Sequence, residues 1–178
     1  MFLENTINHS KQSGWMEVIC GSMFSGKTEE LIRRLRRAEM AGQIVEIFKP
    51  KIDTRYSDED VVSHNQNKIR STAVESPSEI LLLGSNCHVV AIDEAQFFDD
   101  SIVEVANQLA NNGIRVVIAG LDMDFLGRPF GPMPNLMATA EYVTKVHAIC
   151  RRTGNLANYS MRTSAGQDLV ELGQTEAY

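Results

Sequence analysis

The sequence predicts an α/β protein: a mostly parallel β-sheet flanked by helices, with a small β-rich piece at its C-terminal end. Three observations predict it. Short apolar runs alternate with amphipathic helical stretches, the order that builds a parallel sheet covered on both faces. The first apolar run passes straight into a glycine-rich turn that opens a helix. Beyond Cys150 the helical period fades and only short apolar stretches remain.

The elements follow in order. Residues 15–20, from Trp15 to Cys20, suit a short buried strand. A helix is expected over 28–40, with Leu31, Ile32, Leu35 and Ala38 on one face and Arg33, Arg34, Arg36 and Arg37 at the other positions. Gly42 stops it. Residues 44–48 form the next strand, and Pro50 ends it. The stretch 51–67 is polar, without an apolar period, and long for a connection, so a functional or mobile loop is expected. A short strand is expected within 69–74. Ser76-Pro77-Ser78-Glu79 has the capping-box pattern with proline at the first helical position, which starts a helix over 77–83. Residues 88–92 read as a buried strand. Asp99 and Asp100 open a helix carrying Ile102, Val103, Val105, Ala106 and Leu109 inward. After Gly113, residues 114–119 form a strand. Glycines and prolines make 120–135 a loop, 142–149 a last core strand, and 159–163 and 168–172 two short strands.

The chain has 178 residues, 43% of them apolar, which suits one principal domain with a small appendage. The expected division is a flexible N-terminus over 1–14, a nucleotide-binding domain over 15–149 and a small domain over 150–178. No apolar run approaches the ~20 residues of a membrane span. The first residues lack the apolar stretch of a signal peptide, so the expectation is a cytoplasmic protein with no membrane partner. A net charge of −6 argues against a nucleic-acid surface. Cys20, Cys87 and Cys150 are scattered and form no Cys-x-x-Cys pair, so no disulfide framework is expected.

Gly21-Ser22-Met23-Phe24-Ser25-Gly26-Lys27-Thr28 matches G-x-x-x-x-G-K-[ST] at each defined position. The spacing has a mechanical reason. Glycines let the backbone curl so that successive N–H groups point at phosphate oxygens. The following helix aims its positive end at the same place. Lys27 reaches the β- and γ-phosphates and the Thr28 hydroxyl helps to hold Mg²⁺. The expected fold is therefore a P-loop, RecA-like domain that takes ATP and Mg²⁺.

A second element supports this. The apolar run 89–92 ends in Asp93-Glu94-Ala95-Gln96, an acidic pair at a strand end. Asp93 is assigned to Mg²⁺, and the whole stretch to the nucleotide side of the site. Glu94 is the candidate general base for an acceptor hydroxyl; orienting a water instead would make the protein an ATPase.

Several stretches together resemble the type II thymidine kinases, the cellular, tetrameric class. They are the loop with Glu29-Glu30-Leu31-Ile32 after it, Lys49-Pro50-Lys51-Ile52-Asp53-Thr54-Arg55, then Ser63-His64-Asn65. Asp93-Glu94-Ala95-Gln96-Phe97-Phe98, Gly120-Leu121-Asp122-Met123-Asp124-Phe125 and Pro129-Phe130-Gly131-Pro132-Met133 complete the set. The resemblance runs over 15–178 and implies that ATP and thymidine give ADP and thymidine 5′-monophosphate. By position, Glu94 is then the catalytic base for the 5′-hydroxyl. Met23, Leu121 and Phe125 line the thymine pocket with Phe97 nearby, Ser160 lies close to the methyl group, and Tyr178 lies near the sugar. Residues 158–178 correspond to a substrate-covering lasso. A homotetramer with thymidine triphosphate as feedback inhibitor is implied as well.

The chain departs from the pattern at the lasso's zinc site. Cys150 holds the first ligand position, but Thr153 stands where its partner belongs, and one thiolate cannot close a tetrahedral site. Zinc is therefore expected to be absent. Gln66 and Asn67 also stand where a glycine is more usual. Arg55 is either a phosphate contact or a solvated loop residue, and Asp122 and Asp124 either a metal pair or loop caps. The competing activities are a kinase for another deoxypyrimidine nucleoside, a GTPase switch and an ATP-driven nucleic-acid motor. The GTPase reading lacks an Asn-Lys-x-Asp element, and the motor lacks a second core domain and a basic groove.

Overall fold

Successive strand residues point to opposite faces of a sheet. In β1, Trp15–Gly21, Val18 and Cys20 face one way and Ile19 the other, and all three are fully buried. A strand apolar on both faces belongs inside a covered parallel sheet. The computed structural model, which describes residues 13–51, 60–62 and 68–161, contains that sheet.

The elements in chain order are β1, α1 (Lys27–Met40), β2 (Val45–Pro50), β3 (Asp60–Val62), β4 (Lys68–Arg70), β5 (Thr72–Val74), α2 (Pro77–Leu83) and β6 (Val89–Ile92). Then come α3 (Ser101–Asn111), β7 (Arg115–Gly120), α4 (Met133–Thr139), β8 (Tyr142–Val146), β9 (Ala148–Ile149) and β10 (Leu156–Ala157). Six strands form one sheet in the order β5-β2-β6-β7-β1-β8, and every neighbouring pair is parallel.

Two apolar layers hold it. On one face Ile19, Ile47, Ala91 and Val117 pack under Leu31, Ile32, Leu35 and Ala38 of α1. On the other, Val18, Phe48, Val90 and Ile118 meet Ile80 of α2, Ile102, Val105 and Leu109 of α3, and Leu136 of α4. The apolar face expected of α1 is therefore the one that packs. α2 begins where its capping signal stands: the Ser76 N–H donates to Glu79 Oε1 at 3.1 Å.

Arg34 stands off the apolar face of α1 yet is only 6% exposed. Its guanidinium donates to Glu17 Oε2 on β1 (2.7 Å), to Glu30 Oε1 (2.8 Å) and to Thr144 Oγ1 on β8 (2.9 Å). Glu17 also accepts from Arg115 Nε (2.7 Å) and from the Trp15 indole (2.7 Å). A helix residue beside an edge strand can be buried and charged when every donor has an oxygen.

Four expected elements change. The segment 120–135 is not loop throughout: α4 begins inside it, with Pro132 at the N-cap and Pro134 in the first turn. Proline is tolerated there because the first helical N–H groups have no intrahelical partner. The single strand expected within 69–74 is two strands, β4 paired antiparallel with β3 and β5 parallel with β2. The strand expected over 142–149 breaks after Val146, and β9 then pairs antiparallel with β10. Residues 159–161 are not strand; the strand expected over 168–172, the N-terminal lead-in through residue 12 and most of the polar loop lie outside the described residues.

Candidate active site

Because β1, β7 and β6 are consecutive and parallel, the chain segments that follow them leave the same edge of the sheet, where ligands of open α/β sheets bind. Those segments are residues 21–28, the acidic stretch after Ile92 and the loop after Gly120.

The glycines of the first loop have separate jobs. Gly21 has φ 147°, and a Cβ there would lie 2.1 Å from the Val146 carbonyl oxygen on β8. Gly26 has φ 87° and forms the N-cap of α1, whose first turn no side chain caps. A helix N-terminus of this kind presents N–H groups that can meet an anionic ligand. Phe24 holds φ 60° without being glycine. Ser25 Oγ and Lys27 Nζ both donate to the Ser22 carbonyl, at 2.7 and 2.8 Å, so the lysine curls back over the loop. The Met23 N–H donates to Ser160 Oγ at 2.9 Å. Ser22 is buried, Phe24 is exposed, and Met23, Ser25, Gly26, Lys27 and Thr28 are partly exposed.

Asp93 is buried at the end of β6; its N–H donates to the Phe48 carbonyl (2.9 Å), and its Oδ1 accepts from the Glu94 N–H (2.9 Å). Glu94 is left-handed, φ 52° and ψ 39°. Such backbone strain in a non-glycine residue concentrates at functional sites. Gln96, 3% exposed, is a bridge: its amide nitrogen donates to Glu94 Oε2, and its Oε1 accepts from the Leu121 N–H at 3.0 Å. Ala95 is fully buried in the core.

The loop after β7 is folded on itself. Asp124 Oδ1 accepts from the N–H groups of Leu126 (2.8 Å) and Arg128 (2.9 Å). Asp122 instead pairs with Lys145 of β8 at 2.7 Å. The two aspartates are thus a loop cap and an ion-pair partner. Phe97 meets Phe130 edge-on, with ring centroids 5.8 Å apart, and Leu121 and Phe125 are partly exposed. Burial, with Asp122 nearby, pushes the Cys20 thiol up to about 11, so it stays protonated and unreactive.

The structure therefore joins Met23 to Ser160, Glu94 to Gln96 and Gln96 to Leu121. Tyr178 and Arg55 lie outside the described residues. The bridging role of Gln96 and the pairing of Lys145 escaped sequence reasoning. The first needs the spacing of two strand ends, and the second joins the loop after β7 to a residue of β8. Among the described residues no group of three or more His, Cys, Asp or Glu could hold a metal ion. In the turn at Cys150 the Gly154 N–H donates to the Cys150 carbonyl (2.8 Å) and the Asn155 N–H to Thr153 Oγ1 (3.3 Å). The donors present there do not fit a closed zinc site. No described helix is long and apolar enough to cross a membrane.

A glycine loop after one strand, an acidic pair after another and a single strand between them define the class: a P-loop nucleotide-binding protein. Residues 14–178 match the family described as thymidine kinase. The thymidine kinase of Bacteroides thetaiotaomicron (strain VPI-5482) is 61% identical over 178 residues, covering 100% of this chain and 89% of that protein. That of Porphyromonas gingivalis (strain W83) is 61% identical over 176 residues, 99% of this chain and 86% of the relative. That of Rhodothermus sp. (strain ITI 518) is 59% identical over 172 residues, 97% and 81%. This chain belongs to the thymidine kinase family.

Proposed function

We propose that the protein transfers the γ-phosphoryl group of ATP to the 5′-hydroxyl of thymidine, giving ADP and thymidine 5′-monophosphate. The observation that carries the reading is the strand order, which sends the glycine loop and Glu94 out from one sheet edge with only β7 between them. In the reaction, the loop N–H groups and Lys27 take the phosphates, and Lys27 exchanges its Ser22 carbonyl for phosphate oxygens. The Thr28 hydroxyl and the Asp93 carboxylate are oxygen donors only, which suits Mg²⁺ held mainly by phosphates and water. Bound Mg²⁺ would neutralise charge that develops on the β- and γ-phosphates. Glu94, oriented by Gln96, accepts the proton of the 5′-hydroxyl. The 5′-oxygen bonds to the γ-phosphorus as the bond to the β–γ bridging oxygen breaks, and ADP leaves with that electron pair. Met23, Leu121, Phe125, Phe97 and Ser160 form the nucleoside side, and apolar walls suit a flat base. Family resemblance extends the proposal to Tyr178 near the sugar and to a cytoplasmic homotetramer inhibited by thymidine triphosphate. The threonine at 153 supports a protein without structural zinc.

The test is label transfer from γ-labelled ATP to thymidine, deoxyuridine and deoxycytidine at equal concentration. Thymidine is expected to be fastest. Deoxycytidine being fastest, or phosphate release with no labelled nucleoside, contradicts the reading.

A further inference from the structure

One short segment, starting at the last residue of β10, touches two of the three loops of the site. At its start, the Ala157 carbonyl accepts from Ser22 Oγ at 3.5 Å, the outer limit of a hydrogen bond. At its end, Ser160 Oγ accepts from the Met23 N–H at 2.9 Å. Between them, the Tyr159 ring lies against Gly127 of the loop after β7, so close that a Cβ at Gly127 would sit 3.5 Å from the ring. Residues 157–160 therefore reach both the phosphate loop and the loop after β7.

The Met23 contact has a particular consequence. Met23 is the third residue of the glycine loop, so anchoring its backbone fixes the turn from which the following N–H groups reach the phosphates. A side-chain oxygen from a segment 137 residues away holds it. The next residue, Phe24, sits at φ 60° and is 40% exposed. Fixing a loop before its ligand arrives strengthens binding by lowering the ordering entropy left to be lost.

We propose that Ser160 is a positioning residue for the phosphate loop: through the Met23 amide it presets the loop for the nucleotide, and so links nucleotide affinity to the segment that borders the nucleoside side. The inference rests on the phosphate-loop reading above. It assigns Ser160 a role toward the triphosphate, separate from any contact with the base.

The test is binding of Mg²⁺–ADP, without nucleoside, to the full chain by titration calorimetry. S160A removes the acceptor, and S160T keeps a hydroxyl. Loss of one hydrogen bond of ordinary net strength corresponds to about a three- to tenfold change in affinity. S160A is expected to bind ADP about three- to tenfold more weakly, and S160T to stay within about twofold of wild type. Amide exchange in the peptide containing Met23 is expected to quicken in S160A and recover in S160T. If S160A binds ADP as wild type does, while thymidine affinity alone falls, Ser160 acts only on the nucleoside and the positioning role is overturned. A wild-type protein that bound no ADP would instead overturn the phosphate-loop reading, and this proposal with it.

Discussion

Lys27 and Glu94 owe their usefulness to backbone that costs free energy. Glu94 occupies the left-handed region at φ 52°, which for a residue with a Cβ is unfavourable by about 1–2 kcal/mol. The burial of Asp93 and Gln96 on either side holds it there. Lys27 lies over the loop, bonded to the Ser22 carbonyl at 2.8 Å, a contact that phosphate oxygens would replace. Lys27→Ala is expected to lower kcat/KM for ATP by at least about 10²–10³-fold, the scale for losing one preorganised charge-stabilising group. Steady-state kinetics with ATP varied checks this, and near-wild-type turnover would remove Lys27 from the site. The residues themselves were legible, because the loop motif and the acidic pair are local patterns. The geometry at Glu94 was not, since no rule of composition puts a glutamate at positive φ.

Among the elements, the turn from β1 into α1 governs the rest. Its two defining glycines fail differently when changed. A Cβ at Gly21 would strike the Val146 carbonyl at 2.1 Å, which demands a shift of β8. At Gly26 the nearest atom to an added Cβ is Glu29 Oε2 at 3.9 Å, so there is room and only the φ of 87° is strained. Gly26→Ala is therefore expected to fold, with a stability loss of about 1–2 kcal/mol. Urea unfolding measures it, and nucleotide affinity should fall as well because the first N–H groups of α1 move. A mutant as stable as wild type would mean that α1 starts with another geometry. The same turn shows what makes an element readable. α1 and α3 carry a helical period over several turns, and α2 has its cap. α4 was hidden by its own prolines, which mark a loop unless they fall in a first turn. β3 is a three-residue strand, too short for a period.

At the scale of the whole molecule, the sheet order matters most, and a buried charge cluster helps to hold one edge of it. Arg34 of α1 joins β1 through Glu17 and β8 through Thr144. The sequence puts Arg34 off the apolar face of α1, and its burial is not legible there because its partner Glu17 lies on a strand 17 residues earlier. Burial pushes the Glu17 carboxyl up, but bonds from Arg115, Trp15 and Arg34 outweigh it and hold the group below its ordinary 4.5. Arg33 and Arg34 hold Glu30 down at about 2. Carboxylates lowered in the folded state stabilise it fully above their unfolded value and lose that contribution as pH falls through the folded one. Thermal stability is therefore expected to decline from about pH 4.5 downward toward pH 2. Glu17→Gln should lose about 3–5 kcal/mol at neutral pH, since it breaks a buried pair. Its decline below pH 4.5 should be shallower than that of wild type; identical slopes would remove Glu17 from the acid response. The same sheet order supplies the central claim, that a carboxylate separated from the phosphate loop by one intervening strand takes the acceptor's proton. Single-turnover phosphoryl transfer to thymidine by Glu94→Gln tests it most directly, with ADP affinity measured alongside. The account predicts transfer slower by about 10²–10⁴-fold with ADP bound nearly as in wild type. A rate within a few fold of wild type would contradict it.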